Sequence, residues 1–341
     1  MNPPAKLTHL GGEKAVTGSC HLLQTCGLNI MVDCGIAQGA DPSQDISKWP
    51  VPPSKLDYLF LTHAHIDHIG RVPELIANGF SGEILCTHPT KALLNPMLTD
   101  AMAFSGQTPD RNRKIMKTIH ELSWGFEYNR NFKLKNGIRF RLGRTGHIMG
   151  SCFIHFEVSQ NKSGIPNNHF SIVFSGDLGN TNTPILPDPD PPSACDLLVL
   201  ESTYGDRVHE ERSHRVKRLA EILQKALADK GKVYIPAFAL GRTQELLFEL
   251  DRIFSSNKWR TVNPPAPVFV DSPLGLEITR IYSTLSDFWD HESKKLLRKN
   301  DHPFDFKYLY SVDRVKDHRK LLDIPGPAVI IAGSGMCENT S

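Results

Sequence analysis

The sequence lacks several features that would place it in a specialised class of protein. No stretch approaches the roughly 18 consecutive apolar residues of a membrane-spanning helix. The opening residues MNPPAKLTHLGG do not combine a charged region with an apolar run, as a secretory signal does. The seven cysteines are odd in number and form no C-x-x-C pair, which argues against a disulfide framework and a structural zinc ribbon. These absences favour a cytoplasmic protein with buried, reduced thiols.

An excess of charge of either sign is also absent. Lys and Arg total 39 against 37 Asp and Glu, so the formal net charge is +2. This value neither requires nor excludes a nucleic-acid partner, because a neutral protein can still carry a local basic groove. With 341 residues, 40% hydrophobic and 22% charged, the composition is typical of a soluble globular protein of about two domains.

The order of predicted elements differs between the two halves. Short strands broken by glycine and polar turns dominate the first half, apart from a helical stretch over residues 88–122. FSIVFSGDLGN and CDLLVLESTYGD each end an apolar strand in a polar turn, and both are predicted as central strands. After residue 205, strands and helices alternate, as in a parallel sheet with crossover helices. We therefore expect an α/β protein with a layered domain over residues 1–205 and a doubly wound domain over residues 206–341.

Residues 61–70, LTHAHIDHIG, contain four potential metal ligands within six positions, directly after an apolar strand. Imidazole nitrogens combined with a carboxylate oxygen suit zinc and similar ions. Residues two apart in an extended segment point the same way, so His63 and His65 can share one ion. Asp67 and His68 lie beyond the next bend and can face a second ion. A polar loop with ordinary histidines is the alternative, but the H-x-H-x-D-H spacing favours a metal site.

Two later segments supply further ligands. TGHIMGS places His147 at a strand end between glycines that permit close backbone approach, and FSGDLGN places Asp177 in the same kind of setting. A carboxylate can bridge two cations, and Asp177 is the candidate for that role. Two zinc ions about 3.5–4 Å apart would hold and activate a hydroxide between them. His147 taken alone is equally consistent with a structural role, and the upstream cluster favours a ligand.

These motifs carry a resemblance to a known fold. In this order, LTHAHIDHIG, GHIMGS and SGDLG resemble the metallo-β-lactamase fold, an αββα sandwich with a dinuclear site along one edge. VDCG at residues 32–35 is similar to the motif that precedes the histidine cluster. The resemblance implies that its aspartate, Asp33, orients a metal-bound histidine, which is physically sensible. A turn former after a strand is the alternative for Asp33.

The second half resembles one group within that superfamily. ESTYGDR at residues 201–207, IPAFALGRTQELL and AGSGM resemble segments of the inserted β-CASP domain, and GGEKAVTGSC resembles the opening of that group. A glutamate in the first of these motifs is similar to the RNA-processing branch, whereas the DNA-repair branch usually has aspartate. The opening segment is closer to polyadenylation-type nucleases and their bacterial and archaeal relatives than to ribonuclease J.

The resemblance implies a set of site residues. His63, His65 and His147 would bind one zinc ion, Asp67 and His68 the other, and Asp177 would bridge them. A metal-bound hydroxide would attack RNA phosphodiester bonds, in an endo- or exonuclease reaction, with Asp67, Asp177 and Glu201 as catalytic residues. Glu201 would hydrogen-bond a histidine that protonates the leaving oxygen, although it can also be a simple turn carboxylate.

RNA contacts and partners follow from the same resemblance. Arg242 in GRTQE offers a planar donor fork, and Ser334 in AGSGM lies in a glycine-rich turn with backbone donors, so both can contact RNA phosphates. A structural role for Arg242 at a helix start is the alternative. The expected partner is single-stranded RNA, with a possible homodimer and no membrane association.

The sequence departs from the family pattern after AGSGM. Family members continue into a segment with two further motif histidines and the closing strands of the first domain, whereas this chain stops at Ser341. We therefore expect a C-terminally truncated fragment with reduced activity. A non-catalytic scaffold and a small-molecule metallo-hydrolase are the alternative functions. The complete set of first-half ligands favours a nuclease over a scaffold, and the large insert argues against a small substrate.

Overall fold

The computed structural model describes residues 5–160, 168–208, 212–256, 259, 266–312 and 315–333. The chain divides into two compact units, the first comprising Met1–Thr181 and Asp188–Thr203, the second Asn182–Pro187 and Tyr204–Ser341. The expected boundary between residues 205 and 206 stays a prediction. No sequence pattern indicated that residues 182–187 would join the second unit, where the Ile185 carbonyl accepts a hydrogen bond from the Asp290 backbone N–H at 2.7 Å.

The first unit begins with a six-stranded sheet in the order β1-β2-β3-β4-β5-β6. The first three strands pair antiparallel, and the strands from β3 to β6 pair parallel. The carboxyl ends of β3, β4 and β5 therefore meet at one edge, where the motif loops follow. The strands are β1 Ala5–Gly11, β2 Cys20–Thr25, β3 Leu28–Val32, β4 Tyr58–Phe60, β5 Glu83–Thr87 and β6 Ser123–Phe126.

A five-stranded sheet in the order β11-β10-β9-β8-β7 forms the second layer of this unit. Its strands pair antiparallel, except for the parallel pair β10 and β11. The prediction that residues 197–199 form a central strand is wrong for the described residues, in which β11 lies at the end of the sheet. Leu197 and Leu198 are accordingly 47% and 46% exposed. The strands are β7 Asn131–Lys133, β8 Ile138–Arg144, β9 Cys152–Gln160, β10 Asn168–Phe174 and β11 Leu197–Val199.

The core of the first unit lies between these two sheets. Alternate residues of each strand point inward, so apolar residues at every second position form one continuous cluster. Phe60 on β4 lies at its centre, edge-to-face with Phe140 at 4.9 Å and with Phe156 at 4.8 Å between ring centroids. Burying one such ring contributes about 1.5–3 kcal/mol to stability. This packing supports the end of β4, from which the ligand loop continues.

Four α-helices complete the described part of the first unit. The stretch predicted as helical over residues 88–122 forms two helices, because Thr87 and Thr108 each cap a new helix with proline in its first two positions. The helices are α1 Ile66–Ile69, α2 Val72–Ala77, α3 His88–Ala103 and α4 Pro109–Leu122, with 3-10 turns at Ile46–Lys48, Pro53–Lys55 and Lys135–Gly137.

The second unit contains a four-stranded sheet in the order β12-β15-β13-β14, and all its pairs are parallel. Helices connect its strands, as the alternating pattern after residue 205 predicted, and the α/β class is confirmed. No helix in the described ranges has the length and apolar character needed to span a bilayer. The elements are β12 Lys232–Ala237, β13 Val268–Asp271, β14 Leu309–Ser311, β15 Ala328–Gly333, α5 Arg215–Leu227, α6 Arg242–Ser255, α7 Pro273–Thr284, α8 His291–Arg298 and α9 Val315–Asp323, with a 3-10 turn at Ser286–Phe288.

Candidate metal centre

The segment that carries the histidine cluster follows β4 at the carboxyl edge of the six-stranded sheet. His63 and His65 lie on the connecting loop, whereas Asp67 and His68 lie on the short helix α1. The His65 carbonyl accepts hydrogen bonds from the backbone N–H groups of His68 and Ile69, which starts that helix. The ring of His68 nevertheless lies close to that of His63, with centroids 4.0 Å apart.

Four side chains from three separate segments converge at this edge. The ligand atoms of His63, His65, His147 and Asp177 all lie within 4.8 Å of one another. His65 Nδ1 is 3.1 Å from His63 Nε2 and 3.1 Å from His147 Nε2. Asp177 Oδ2 is 3.8 Å from His63 Nε2 and 3.5 Å from His147 Nε2.

These distances fit a bound cation. Ligands at about 2.05 Å around a tetrahedral zinc ion are separated from one another by about 3.3 Å. The observed separations of 3.1–3.8 Å bracket that value. Three imidazoles and one carboxylate also match the nitrogen and oxygen ligands that such an ion prefers. The four side chains therefore fit a divalent metal ion.

Asp177 faces a second group through its other oxygen. Its Oδ1 lies 3.2 Å from His68 Nε2, and the same nitrogen is 3.8 Å from Asp67 Oδ2. The two carboxylate oxygens of Asp177 thus point toward different sets of ligands. Such an arrangement suits a carboxylate shared between two cations.

Asp33 lies behind His68 and is only 1% exposed. Its Oδ2 accepts a hydrogen bond from His68 Nδ1 at 2.7 Å, and its Oδ1 accepts one from the Thr62 backbone N–H at 2.8 Å. Because Nδ1–H of His68 donates to Asp33, Nε2 is the nitrogen that faces Asp177 and Asp67 and is left for a cation. The backbone of Asp33 has a φ of 58°, a strained conformation for a residue with a side chain.

The electrostatics of the cluster set a different protonation state for each of its members in the absence of a cation. Burial lowers the pKa of His63 well below its ordinary value of 6.5, and three neighbouring imidazoles add to the effect. Burial also opposes protonation of His68, but the carboxylates of Asp33 and Asp177 outweigh it and raise the pKa of this imidazole. Burial opposes ionisation of Asp177, yet the hydrogen bond and charge of His68 hold its pKa below the usual range. Asp177 is therefore ionised, and His63 is neutral with a lone pair available.

Close backbone contacts hold the ligand segments together. A Cβ added to Gly35 would lie 1.6 Å from the Asp67 carbonyl oxygen, so the VDCG turn can pack against α1 only with glycine there. On the other side, a Cβ on Gly179 would lie 1.9 Å from the Gly146 carbonyl oxygen, in the turn that carries His147. Glycine at these two positions lets the VDCG turn approach α1, and lets the Asp177 loop approach the turn that carries His147.

Glu201 lies in the first unit just after β11. Its Oε1 accepts a hydrogen bond from the Leu178 backbone N–H at 3.1 Å, and its Oε2 accepts one from the Thr203 N–H at 3.0 Å. The carboxylate is thus held beside the loop that carries Asp177. Within the described residues no histidine is hydrogen-bonded to Glu201.

The two residues expected to contact RNA are placed differently. Arg242 is the first residue of α6, and its Nη1 donates a hydrogen bond to Glu245 Oε2 at 2.7 Å. Its side chain remains 60% exposed. Ser334 lies outside the described residues.

The sequence reasoning missed the polar residues that surround Asp33. Thr62 donates to this carboxylate through its backbone and its hydroxyl, and Ser19 donates through Oγ at 3.1 Å. The hydroxyl of Ser19 also contacts the ring of His21, which in turn contacts the ring of His9. The alternation of GSCHLL on a predicted strand could have indicated that Ser19 and His21 share one face, but not that this face adjoins Asp33.

Comparison with known proteins gives matches along most of the chain. Residues 14–160 match the family model described as Metallo-beta-lactamase superfamily, and residues 243–340 match the Beta-Casp domain. Ribonuclease TTHA0252 of Thermus thermophilus is 33% identical over 331 residues, which cover 97% of this chain and 73% of the relative. Endoribonuclease YSH1 of Kluyveromyces lactis is 29% identical over 97% of this chain, which spans 43% of that relative.

Among solved structures, a protein of unknown function from Enterococcus faecalis V583 has a similar fold. The two share a TM-score of 0.53 at 13% identity, over 97% of this chain and 77% of the other.

Proposed function

The chain belongs to the metallo-β-lactamase superfamily, in the group that carries a β-CASP domain, and on this basis we propose that it is a metal-dependent ribonuclease. Membership confirms the resemblance that the motifs carried and the expected pairing of the two domain types. The proposed reaction is hydrolysis of RNA phosphodiester bonds. The names of the two relatives above, a ribonuclease and an endoribonuclease, support this reaction class.

The observation that carries the proposal is the convergence of three imidazoles and one carboxylate within 4.8 Å. We propose zinc as the metal, held at one position by His63, His65, His147 and Asp177. A second ion would be held by Asp67, His68 and the other oxygen of Asp177. When bound, such ions lower the pKa of water and stabilise charge on a phosphate.

The chain's own residues would prepare the site for that chemistry. Asp33 holds His68 by its Nδ1–H, so that Nε2 faces the metal position. Asp177 supplies negative charge between the two groups of ligands, which offsets repulsion between two cations. Burial of His63 excludes water from the inner side of the site.

We assign Glu201 a role on the leaving-group side of the reaction. Two backbone N–H groups fix its carboxylate beside the Asp177 loop, so it is positioned to accept a hydrogen bond from a proton donor. Loss of a general acid typically slows hydrolysis by about 10²–10⁴-fold. Glu201→Gln should therefore lower the rate of cleavage with little change in metal content.

RNA contacts, partners and location belong to the same proposal. Arg242 is exposed enough to donate to a phosphate, although it must exchange its bond to Glu245 for that contact. Single-stranded RNA is the proposed substrate, because an unpaired strand can be splayed open at a buried edge. Three further expectations belong to the proposal. They are cleavage of the RNA internally or from one of its ends, formation of a homodimer, and a cytoplasmic location.

The test is cleavage of an end-labelled single-stranded RNA, with and without a chelator, followed by addition of zinc. We expect cleavage that the chelator abolishes and zinc restores, and that Asp177→Asn lacks. Asp196→Asn is the matched control. The Asp196 carboxylate accepts hydrogen bonds from the backbone N–H and the hydroxyl of Ser171, and so links β10 to the start of β11.

Three other outcomes would contradict the proposal. Cleavage that persists in the chelator would rule out a metal-dependent reaction. Metal binding without cleavage of any RNA would favour the scaffold alternative. Hydrolysis of small esters or thioesters alone would favour the small-molecule alternative.

A further inference from the structure

A line of hydrogen-bonded side chains leads from Asp33 away from the metal centre. Ser19 Oγ lies 3.1 Å from Asp33 Oδ2, and His21 Nε2 lies 3.5 Å from Ser19 Oγ. His9 Nδ1 lies 2.9 Å from His21 Nδ1. The line therefore runs across β2 and β1, which pair antiparallel with His9 opposite His21.

The direction of each hydrogen bond in this line follows from the Asp33 end. An ionised carboxylate can only accept, so the single hydroxyl proton of Ser19 is donated to Asp33. Ser19 must then accept from His21, which places the proton of His21 on Nε2. His21 Nδ1 is left bare and accepts from Nδ1–H of His9. Burial lowers the pKa of His21 to about 4, so this ring is neutral near pH 7 and carries a single N–H.

The backbone beneath this line is tied directly to the ligand segments. The Ser19 N–H donates to the Asp67 carbonyl at 2.9 Å, and the Ser19 carbonyl accepts from the Gly35 N–H at 2.9 Å. The His21 ring stacks on Phe174 with centroids 5.9 Å apart, at an interplanar angle of 25°. Backbone hydrogen bonds and ring stacking thus fix the positions of Ser19 and His21 independently of their polar side-chain atoms.

We propose that His21, oriented by His9, is a positioning residue for the metal ligand His68. It acts through Ser19, whose donated proton fixes the orientation of the Asp33 carboxylate. Asp33 in turn holds Nδ1–H of His68 and leaves Nε2 for the metal. This inference rests on the proposed metal site, and it concerns metal binding rather than the cleavage of RNA.

The first test is the tautomer of each imidazole in the wild-type protein, measured by two-dimensional ¹H–¹⁵N NMR of histidine-labelled apoprotein. We expect His21 protonated on Nε2, and His9 and His68 protonated on Nδ1. A proton on Nδ1 of His21 would overturn the proposal, because Ser19 would then have to donate to His21 instead of Asp33. This test needs neither a variant nor bound metal.

The second test compares variants by zinc competition against a chelating dye. Loss of a group that contacts a metal ligand directly typically weakens binding by about 10–100-fold, and for groups further out we expect about 3–10-fold. Ser19→Ala and His21→Phe should both weaken zinc binding by about 3–10-fold. His21→Phe keeps an aromatic ring against Phe174, so a loss in this variant is due to the polar atoms of His21. His21→Gln retains a donor at the ε position and should bind zinc within about twofold of wild type.

Ser171→Ala is the matched control, since it also removes a serine hydroxyl that donates to an aspartate, the exposed Asp196 just before β11, at 2.9 Å. It should leave zinc affinity unchanged. Unchanged affinity in Ser19→Ala would overturn the proposal, as would an equal loss in the Ser171→Ala control. Should His21→Phe fail to fold, the comparison of zinc affinity between Ser19→Ala and Ser171→Ala, together with the tautomers measured by NMR, still tests the proposal. Absence of RNA cleavage would count against the proposed function and leave these measurements as they are.

Discussion

Replacement of Gly35 by alanine should empty one of the two proposed metal positions before the other. A Cβ at residue 35 would lie 1.6 Å from the Asp67 carbonyl oxygen and 2.8 Å from the His68 backbone nitrogen. Real Cβ atoms stay at least 3.0 Å from such atoms, so the Asp67 carbonyl must retreat by about 1.4 Å. Metal sites tolerate shifts of only about 0.2 Å in ligand distance. The displacement therefore exceeds what the Asp67 and His68 side chains can absorb.

The magnitude follows from this displacement. We expect zinc affinity at the Asp67–His68 position to fall by at least about 10–100-fold, the loss seen when outer support of a ligand is removed. The position formed by His63, His65 and His147 should keep more of its affinity, because none of these residues lies in α1, whose backbone must move. Overpacking should also lower the free energy of unfolding by about 1–3 kcal/mol.

The assay is a two-step zinc titration against a chelating dye, combined with metal content after dialysis. Gly82→Ala is the matched control, since its Cβ would lie 2.4 Å from the Asp57 carbonyl oxygen. This contact lies at the amino ends of β4 and β5, whereas the ligand loop follows the carboxyl end of β4. It should lower stability without selective loss of zinc. Wild-type affinity at both positions in Gly35→Ala, or the same loss in Gly82→Ala, would refute the argument.

Three further predictions concern charge, pH and packing. Asp177→Ala should weaken both zinc positions, because its two oxygens face both groups of ligands; a titration in which one position keeps its affinity would show that it is not shared. His21 has a pKa near 4 in the folded protein against 6.5 ordinarily, so its contribution to stability is complete above pH 6.5. About 3 kcal/mol of it should be lost as the pH falls from 6.5 to 4, and urea unfolding of His21→Phe should lack this loss. Phe60→Ala should cost about 3–5 kcal/mol in the free energy of unfolding, and a smaller loss in urea unfolding would mean that the core collapses around the cavity.

Local patterns in the sequence were enough to locate the ligand loop. The H-x-H-x-D-H spacing lies where an apolar strand must end, and strand periodicity puts His63 and His65 on one side of the chain. The α/β class and the alternating second unit could also be predicted, because strand and helix periods differ over short windows. These features depend on neighbours within a few residues.

Other features could not be predicted, because they depend on contacts between distant segments. The strand at residues 197–199 looked central from its apolar run, yet its place at the end of the described sheet is set by pairing with β10 alone. Likewise, residues 182–187 join the second unit through contacts such as that of Ile185 with Asp290.

The metal centre itself combines both kinds of information. The sequence by itself determined which side chains can bind a metal, because ligand chemistry is a property of each residue and its near neighbours. Only the tertiary structure decided that the turns of His147 and Asp177 meet the ligand loop, and that Ser19 and His21 stand behind Asp33. The physical reason is that sheet order and close glycine packing bring together segments as far apart along the chain as those of His63 and Asp177.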